Sequence, residues 1–114
     1  MNQIINKQNA SKYTWGDNCL SWILINSDAL SIKQELMPPG TKEHLHFHEN
    51  ACQFFYVLKG QATFYMGDEV FLLNPNDGLS VLNNTKHFIV NESNEEIEFL
   101  VISQPNINND RINL

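Results

Sequence analysis

Three of the four histidines in this sequence, His44, His46 and His48, alternate along one short stretch. Side chains two positions apart point to the same side of a β-strand, so this stretch predicts three imidazoles on one face. Neutral imidazole suits divalent transition-metal ions, and the repeated histidine therefore indicates a metal site. A solvated outer face of a sheet explains the alternation equally well, and the spacing alone leaves both interpretations open.

Short β-branched and aromatic runs must position these side chains. They are separated by Pro, Gly, Asn and Asp, and none shows the periodicity of a long helix. Because the connections are short, neighbouring strands are expected to run antiparallel. We therefore predict an all-β fold, which is a sandwich, jelly roll or barrel. The predicted strands, besides the histidine stretch 43–48, are 19–25, 30–37, 52–58, 62–66, 69–73, 79–82, 87–90 and 97–103.

Length, charge and cysteine usage narrow the function classes. The longest apolar run, Phe54 to Leu58, is too short to cross a membrane, and the scattered basic residues form no surface for nucleic acid. Cys19 and Cys52 lie far apart and the N-terminus lacks a secretory pattern, so we predict a reduced, cytoplasmic protein. The 114 residues, with a net charge of −6, predict one domain. Its predicted parts are a core at 19–103, an N-terminal arm at 1–18 and a C-terminal tail at 104–114.

Two groups of residues resemble the two signatures of the cupin superfamily, over roughly 30–103. The first group has the family's order and spacing, with glutamine in place of the usual glutamate, at Gly40, His46, His48, Gln53 and Gly60. In the second group, His87 and Asn91 match the family. Asparagine tolerates left-handed backbone well, so two of the three replacements of Gly, Pro and Gly suit the turn. Those replacements are Asn76, Leu82 and Asn84.

Cupins are small jelly-roll barrels, antiparallel double-stranded β-helices with the metal inside. The resemblance implies that His46, His48 and His87 bind one divalent transition-metal ion, which is Fe, Mn, Ni, Co, Cu or Zn. It places Gln53 where the family has a carboxylate ligand. A glutamine offers only a neutral carbonyl oxygen, which predicts weaker metal retention and stronger attraction for an anionic or chelating ligand. Alternatively, Gln53 hydrogen-bonds a ligand histidine or a bound water without contacting the metal.

Strand parity predicts which residues surround this site. Phe55, Val57 and Ile89 share the inward parity, so we expect them to line the pocket, although core packing alone explains them too. His44 either lies near the pocket mouth or is exposed where the strand begins. Residues of the opposite parity indicate a covering layer, which is either the chain's own second sheet and arms or the partner in a homodimer. They are aromatic, at Phe47, Phe54, Tyr56 and Phe88.

Two classes of function fit these residues. The first is a metal-dependent enzyme with dioxygenase-like chemistry on a small electron-rich molecule, because an uncharged ligand set leaves positions for substrate and dioxygen. Sugar isomerase-like or epimerase-like chemistry would need an acid and a base, for which Glu43, His44 and Tyr65 are the candidates. The second class is a barrel that binds or senses a small molecule without catalysis, favoured by the missing carboxylate and the incomplete second signature.

Overall fold

The computed structural model describes residues 3–114, which form eleven β-strands and no helix. The all-β, antiparallel prediction is therefore confirmed. Across this described range no helix is long and apolar enough to span a membrane. The strands are β1 (Ser11–Trp15), β2 (Cys19–Asn26), β3 (Ser31–Met37), β4 (His46–His48), β5 (Cys52–Lys59), β6 (Ala62–Met66), β7 (Glu69–Leu73), β8 (Gly78–Val81), β9 (His87–Val90), β10 (Ile97–Gln104) and β11 (Arg111–Asn113).

The strands form two sheets, with the hydrophobic core between them. The six-stranded sheet has the order β1-β2-β3-β10-β5-β8, and the five-stranded sheet has the order β11-β4-β9-β6-β7. Phe55 of β5 packs against Phe64 of the other sheet, with ring centroids 4.7 Å apart, and against Phe99 of β10 at 6.0 Å. Phe64 and Phe99 are completely buried. This aromatic cluster packs the two sheets against each other.

The first and last strands lie in the segments that the sequence indicated as an arm and a tail. All five residues of β1 pair with β2, and all three residues of β11 pair with β4. Their sequences, SKYTW and RIN, are too short and too polar to show a clear strand alternation. Both ends of the chain therefore extend the sheets.

The histidine strand is shorter than predicted. β4 begins at His46, whereas the sequence indicated a strand from Glu43. Upstream of β4, Lys42 forms an isolated bridge to Val90, and the chain rejoins the regular ladder only at His46. The alternation of the histidines therefore does not extend to His44.

Several turns contain a residue with positive φ, a backbone conformation that few residue types adopt. Asn76 and Asn84 have positive φ values of 74° and 62°, as expected for the asparagines that replace glycine in the second signature. Gly60, between β5 and β6, has a φ of 77°. A Cβ at Gly60 would lie 2.6 Å from the carbonyl oxygen of Glu96, so glycine is required there for space as well as for conformation.

The aromatic side chains predicted to face outward are only partly covered. Phe54 is 38% exposed and stacks on Tyr56, with centroids 6.3 Å apart. On the other sheet, Phe88 stacks on Tyr65 at 4.8 Å. Neighbouring rings of the same chain thus cover part of this area, and the homodimer stays a prediction.

Candidate functional site

Three buried histidines meet between the sheets. His46 and His48 lie on β4, and His87 opens β9 as the register partner of His46. One ligand atom from each ring lies within 4.8 Å of the others, and the three residues are 2%, 3% and 0% exposed. Antiparallel pairing of β4 with β9 therefore brings together histidines that are far apart in the sequence.

Backbone carbonyls orient two of the rings. Nδ1 of His46 lies 2.7 Å from the carbonyl oxygen of His44, and Nδ1 of His87 lies 2.8 Å from that of Thr85. A carbonyl oxygen only accepts, so each Nδ1 carries the hydrogen and each Nε2 keeps its lone pair. This is the arrangement that a metal-ligating histidine needs.

Burial keeps the three imidazoles neutral. Desolvation lowers the pKa of His46 to about 3 and that of His48 to about 4. It also lowers the pKa of His87. The nearby guanidinium of Arg111 acts in the same direction on all three. At neutral pH the ring nitrogens are therefore available to a cation.

Gln53 faces the histidines from the opposite sheet. It lies on β5, and its Nε2 donates a hydrogen bond of 3.0 Å to Oγ of Ser103, its register partner on β10. Within residues 3–114, Oε1 of Gln53, both ring nitrogens of His48 and Nε2 of His87 are buried without a hydrogen-bond partner. Unpaired buried acceptors are costly in a folded protein. As metal ligands, these oxygen and nitrogen atoms suit a divalent transition-metal ion.

A cavity of about 200 Å³ opens beside the histidines. This volume is below the roughly 300–1,000 Å³ typical of sites for drug-sized ligands, so the cavity suits a small molecule. His46, His48 and Gln53 line it together with the apolar Phe55 and Val101.

Three side chains predicted to line the pocket lie elsewhere. Val57 and Ile89 are 0% and 1% exposed and pack in the core without reaching the cavity wall. His44 is exposed and borders a separate surface depression with Lys42, because β4 begins only at His46. Of the predicted apolar wall, Phe55 is the residue that lines the cavity.

Two carboxyl groups lie together in the cavity wall, which the sequence did not predict. Glu35 of β3 accepts a hydrogen bond from Oγ of Ser21, and burial raises its pKa. Burial also raises the pKa of Glu43 to about 8, although Arg111 opposes this shift. Oε1 of Glu43 accepts the N–H of Ile89 at 3.0 Å. Glu43 was a candidate for proton transfer, but its place beside Glu35 was not foreseen.

The alternation of side chains along β3 indicates that Glu35 faces inward. Ser31 and Met37, two ends of the same inward row on β3, are buried, and Lys33 and Glu35 lie between them in that row. Tyr65, the other candidate for proton transfer, is outside the cavity, where its hydroxyl donates to Glu92 at 2.8 Å. Besides Tyr13 and Lys33, the cavity wall therefore offers the two carboxyl groups of Glu35 and Glu43 for proton transfer.

The C-terminal segment completes the cavity. Ile107 and Arg111 line it, and Nη1 of Arg111 lies 3.7 Å from Oε2 of Glu43. Asp110 precedes Arg111 and is buried; burial alone would raise its pKa, but hydrogen bonds from backbone N–H groups outweigh this and hold the pKa below its usual range. The sequence predicts a tail for these residues, since their polar, Asn-rich context carries no strand signal.

Comparison with known proteins identifies related sequences and structures with the same fold. The family model of the cupin domain matches residues 34–103. The oxalate-binding protein of Thermotoga maritima is 27% identical over 84 residues, which cover 69% of each chain. The structure of KdgF from Halomonas sp. superposes with a TM-score of 0.85 at 17% identity, covering 94% of this chain and 98% of that one. A sugar phosphate isomerase of Silicibacter pomeroyi gives 0.82 at 16% identity, covering 91% and 76%. These likenesses confirm the predicted double-stranded β-helix.

Proposed function

Because the chain belongs to the cupin family, we propose that it is a divalent-metal-dependent enzyme that transfers a proton on a small, oxygen-rich molecule. One observation supports this most directly. Two partly buried carboxyl groups, Glu35 and Glu43, line the same cavity as His46 and His48, two members of the three-histidine group. By their names, the oxalate-binding protein binds a small oxygen-rich molecule and the sugar phosphate isomerase acts on one, which agrees with this class of ligand.

The metal would be held by His46, His48 and His87, with the carbonyl oxygen of Gln53 as a fourth donor. When bound, it would supply Lewis-acid polarisation of a substrate oxygen. Such polarisation acidifies a C–H bond next to a carbonyl group. A proton acceptor and donor in the protein must then complete the reaction.

The two carboxyls are suited to hold and move that proton. A general acid–base group works best when its pKa is near the working pH, and burial raises the pKa of Glu43 to about 8. Its Oε1 is fixed by the Ile89 N–H, while Oε2 faces Arg111. Phe55 and Val101 give this cavity an apolar wall beside the carboxyl groups.

Solvent deuterium incorporation tests the proposal. Protein loaded with Mn(II), Ni(II) or Zn(II) is incubated in D₂O with a panel of keto acids, hydroxy acids and ketoses, and NMR follows exchange next to the carbonyl. Glu43→Gln and Glu35→Gln are each expected to slow the exchange by about 100-fold or more. Glu69→Gln, at an exposed position of β7, is the matched control and should exchange like the unmodified protein.

Metal content is measured in the same preparations. His46→Ala should lose the metal by elemental analysis, whereas Glu43→Gln should keep it. Absence of exchange in the metal-loaded protein across the whole panel would contradict the proton-transfer function.

Dioxygenase-like chemistry is the second candidate, favoured by the neutral donor set. None of His46, His48, His87 and Gln53 brings a negative charge, so the full charge of the metal would attract an anionic substrate. Oxygen consumption by Fe(II)-loaded protein on diketones, phenols, thiols and enediols distinguishes this reaction from proton transfer. A ligand that raises the melting temperature without exchange or oxygen uptake would indicate a binding or sensing function instead.

A further inference from the structure

The strand that carries two of the candidate ligands depends on the C-terminus. On one side, β4 has a single register pair with β9, between His46 and His87. On its other side, β4 pairs along its whole length with β11. The N–H of Leu114 extends this ladder with a 3.0 Å hydrogen bond to the carbonyl oxygen of Leu45. The C-terminal segment is thus the main support of β4.

Asp110 ties the same segment to the loop that follows His48. Its carboxylate accepts the backbone N–H of Glu49 at 3.0 Å, of Asn50 at 3.1 Å and of Ala51 at 2.9 Å. Nδ2 of Asn50 donates a further bond of 3.3 Å. Asp110 is only 8% exposed, so it is buried together with these hydrogen bonds. Hydrogen bonds to a charged acceptor are stronger than neutral ones.

This loop connects two sides of the candidate metal site. His48 lies immediately before it and Gln53 lies two residues after Ala51. Neither ring nitrogen of His48 has a hydrogen-bond partner among residues 3–114, in contrast to His46 and His87, whose Nδ1 atoms are held by carbonyl groups. The orientation of His48 therefore depends on its backbone, on its packing and on the backbone of Asp110, which lies beside its ring and acts to raise its pKa.

We propose that Asp110 is a positioning residue of the metal centre, which holds His48 in place through the loop at 49–51. Docking of the C-terminal segment and metal binding are consequently coupled, and each strengthens the other by the same factor. This inference rests on the metal site of the proposed function, but not on the proton-transfer reaction.

The test compares two carboxylate caps in the full-length protein. Metal-free Asp110→Asn is titrated with Co(II) by calorimetry, and we expect an affinity about 10- to 100-fold weaker than that of the unmodified chain. Asp77→Asn is the control, because Asp77 caps the turn before β8 by accepting the N–H of Asn74 at 2.9 Å, outside the cavity wall. The Asp77→Asn variant should lose some stability and keep its Co(II) affinity.

Two further measurements separate positioning from general destabilisation. The d–d absorption spectrum of bound Co(II) should change in Asp110→Asn and stay constant in Asp77→Asn. In the unmodified protein, Co(II) should slow hydrogen exchange of the β11 amides, which requires no variant and remains informative should Asp110→Asn fail to fold.

The outcomes distinguish the inference from the function it rests on. A Co(II) affinity of Asp110→Asn within twofold of the unmodified protein would overturn the positioning role, as would an equal loss in Asp77→Asn. If Co(II) leaves the hydrogen-exchange rate of the β11 amides unchanged, the coupling is refuted. Failure of the unmodified protein to bind Co(II) or any other divalent ion would refute the metal site itself, and the inference with it.

Discussion

Replacing Glu43 with glutamine is expected to stabilise the metal-free protein, and to do so increasingly as the pH rises. The side chain of Glu43 is 11% exposed, and burial raises its pKa from 4.5 to about 8. Between these two pH values the folded state binds a proton that the unfolded state has released. Stability is therefore lost as the pH rises through this window. The glutamine side chain would carry no ionisable group, and its carbonyl oxygen can still accept the N–H of Ile89.

The magnitude follows from the pKa difference. A shift from 4.5 to about 8 corresponds to about 5 kcal/mol once both states are ionised, at about 1.4 kcal/mol per unit. At pH 7 the folded carboxyl is still mostly protonated, and the penalty is about 3 kcal/mol. At pH 5 it falls to about 1 kcal/mol. The difference in unfolding free energy between Glu43→Gln and the unmodified protein should therefore grow from pH 5 to pH 7 and again to pH 9.

Urea unfolding in EDTA at pH 5, 7 and 9 measures this difference, with circular dichroism as the probe. Glu69→Gln is the control, since it removes a carboxyl at an exposed position, and its unfolding free energy should follow that of the unmodified protein at each pH. A difference for Glu43→Gln that stays constant from pH 5 to pH 9 would refute the burial argument. A difference that shrinks with pH would mean that the ion pair with Arg111 outweighs desolvation.

Three other changes have defined outcomes. The pKa values of His46 and His48 are lowered to about 3 and about 4, so these imidazoles should cost the metal-free protein stability as the pH falls below 6.5, while the raised pKa of Glu43 has the opposite effect over the same range. Metal-free His48→Gln should therefore lose less melting temperature than the unmodified protein between about pH 6.5 and pH 4, and equal losses would contradict this. Gln53→Glu should raise the affinity for Ni(II) measured by calorimetry, because a charged oxygen replaces a neutral one, and equal affinities would argue against contact with the metal. Gly60→Ala should destabilise the protein by about 2–4 kcal/mol in urea, since its Cβ would meet the carbonyl oxygen of Glu96; a loss below about 1 kcal/mol would show that the turn adapts.

Much of the fold follows from local patterns. The strand runs and their turn residues predict most strands within one or two positions, because alternation and β-branched residues are local properties. The same alternation places His46 and His48 on one side of their strand. His87 joins them in the prediction only through the resemblance of the two signatures, since nothing local relates residues so far apart.

The C-terminal segment shows where local sequence patterns fail to predict structure. Asp110 and Arg111 belong to an Asn-rich segment without alternation, so the sequence indicated a tail. Their importance comes from hydrogen bonds to residues about sixty positions earlier, including those that Asp110 accepts from Asn50 and Ala51. Pairing over such a distance leaves no periodic signal in either partner.

Local sequence patterns are enough to predict an antiparallel all-β chain with His46 and His48 on one side of a strand. Which polar side chains share the cavity with these histidines depends on the packing of the two sheets, because Glu35 and Lys33 look like ordinary polar positions of a strand. Whether such a position faces water or the interior depends on how two sheets close over it. That closure removes water, raises the pKa of the carboxyls and lowers the pKa of the imidazoles, and so gives both groups their chemistry.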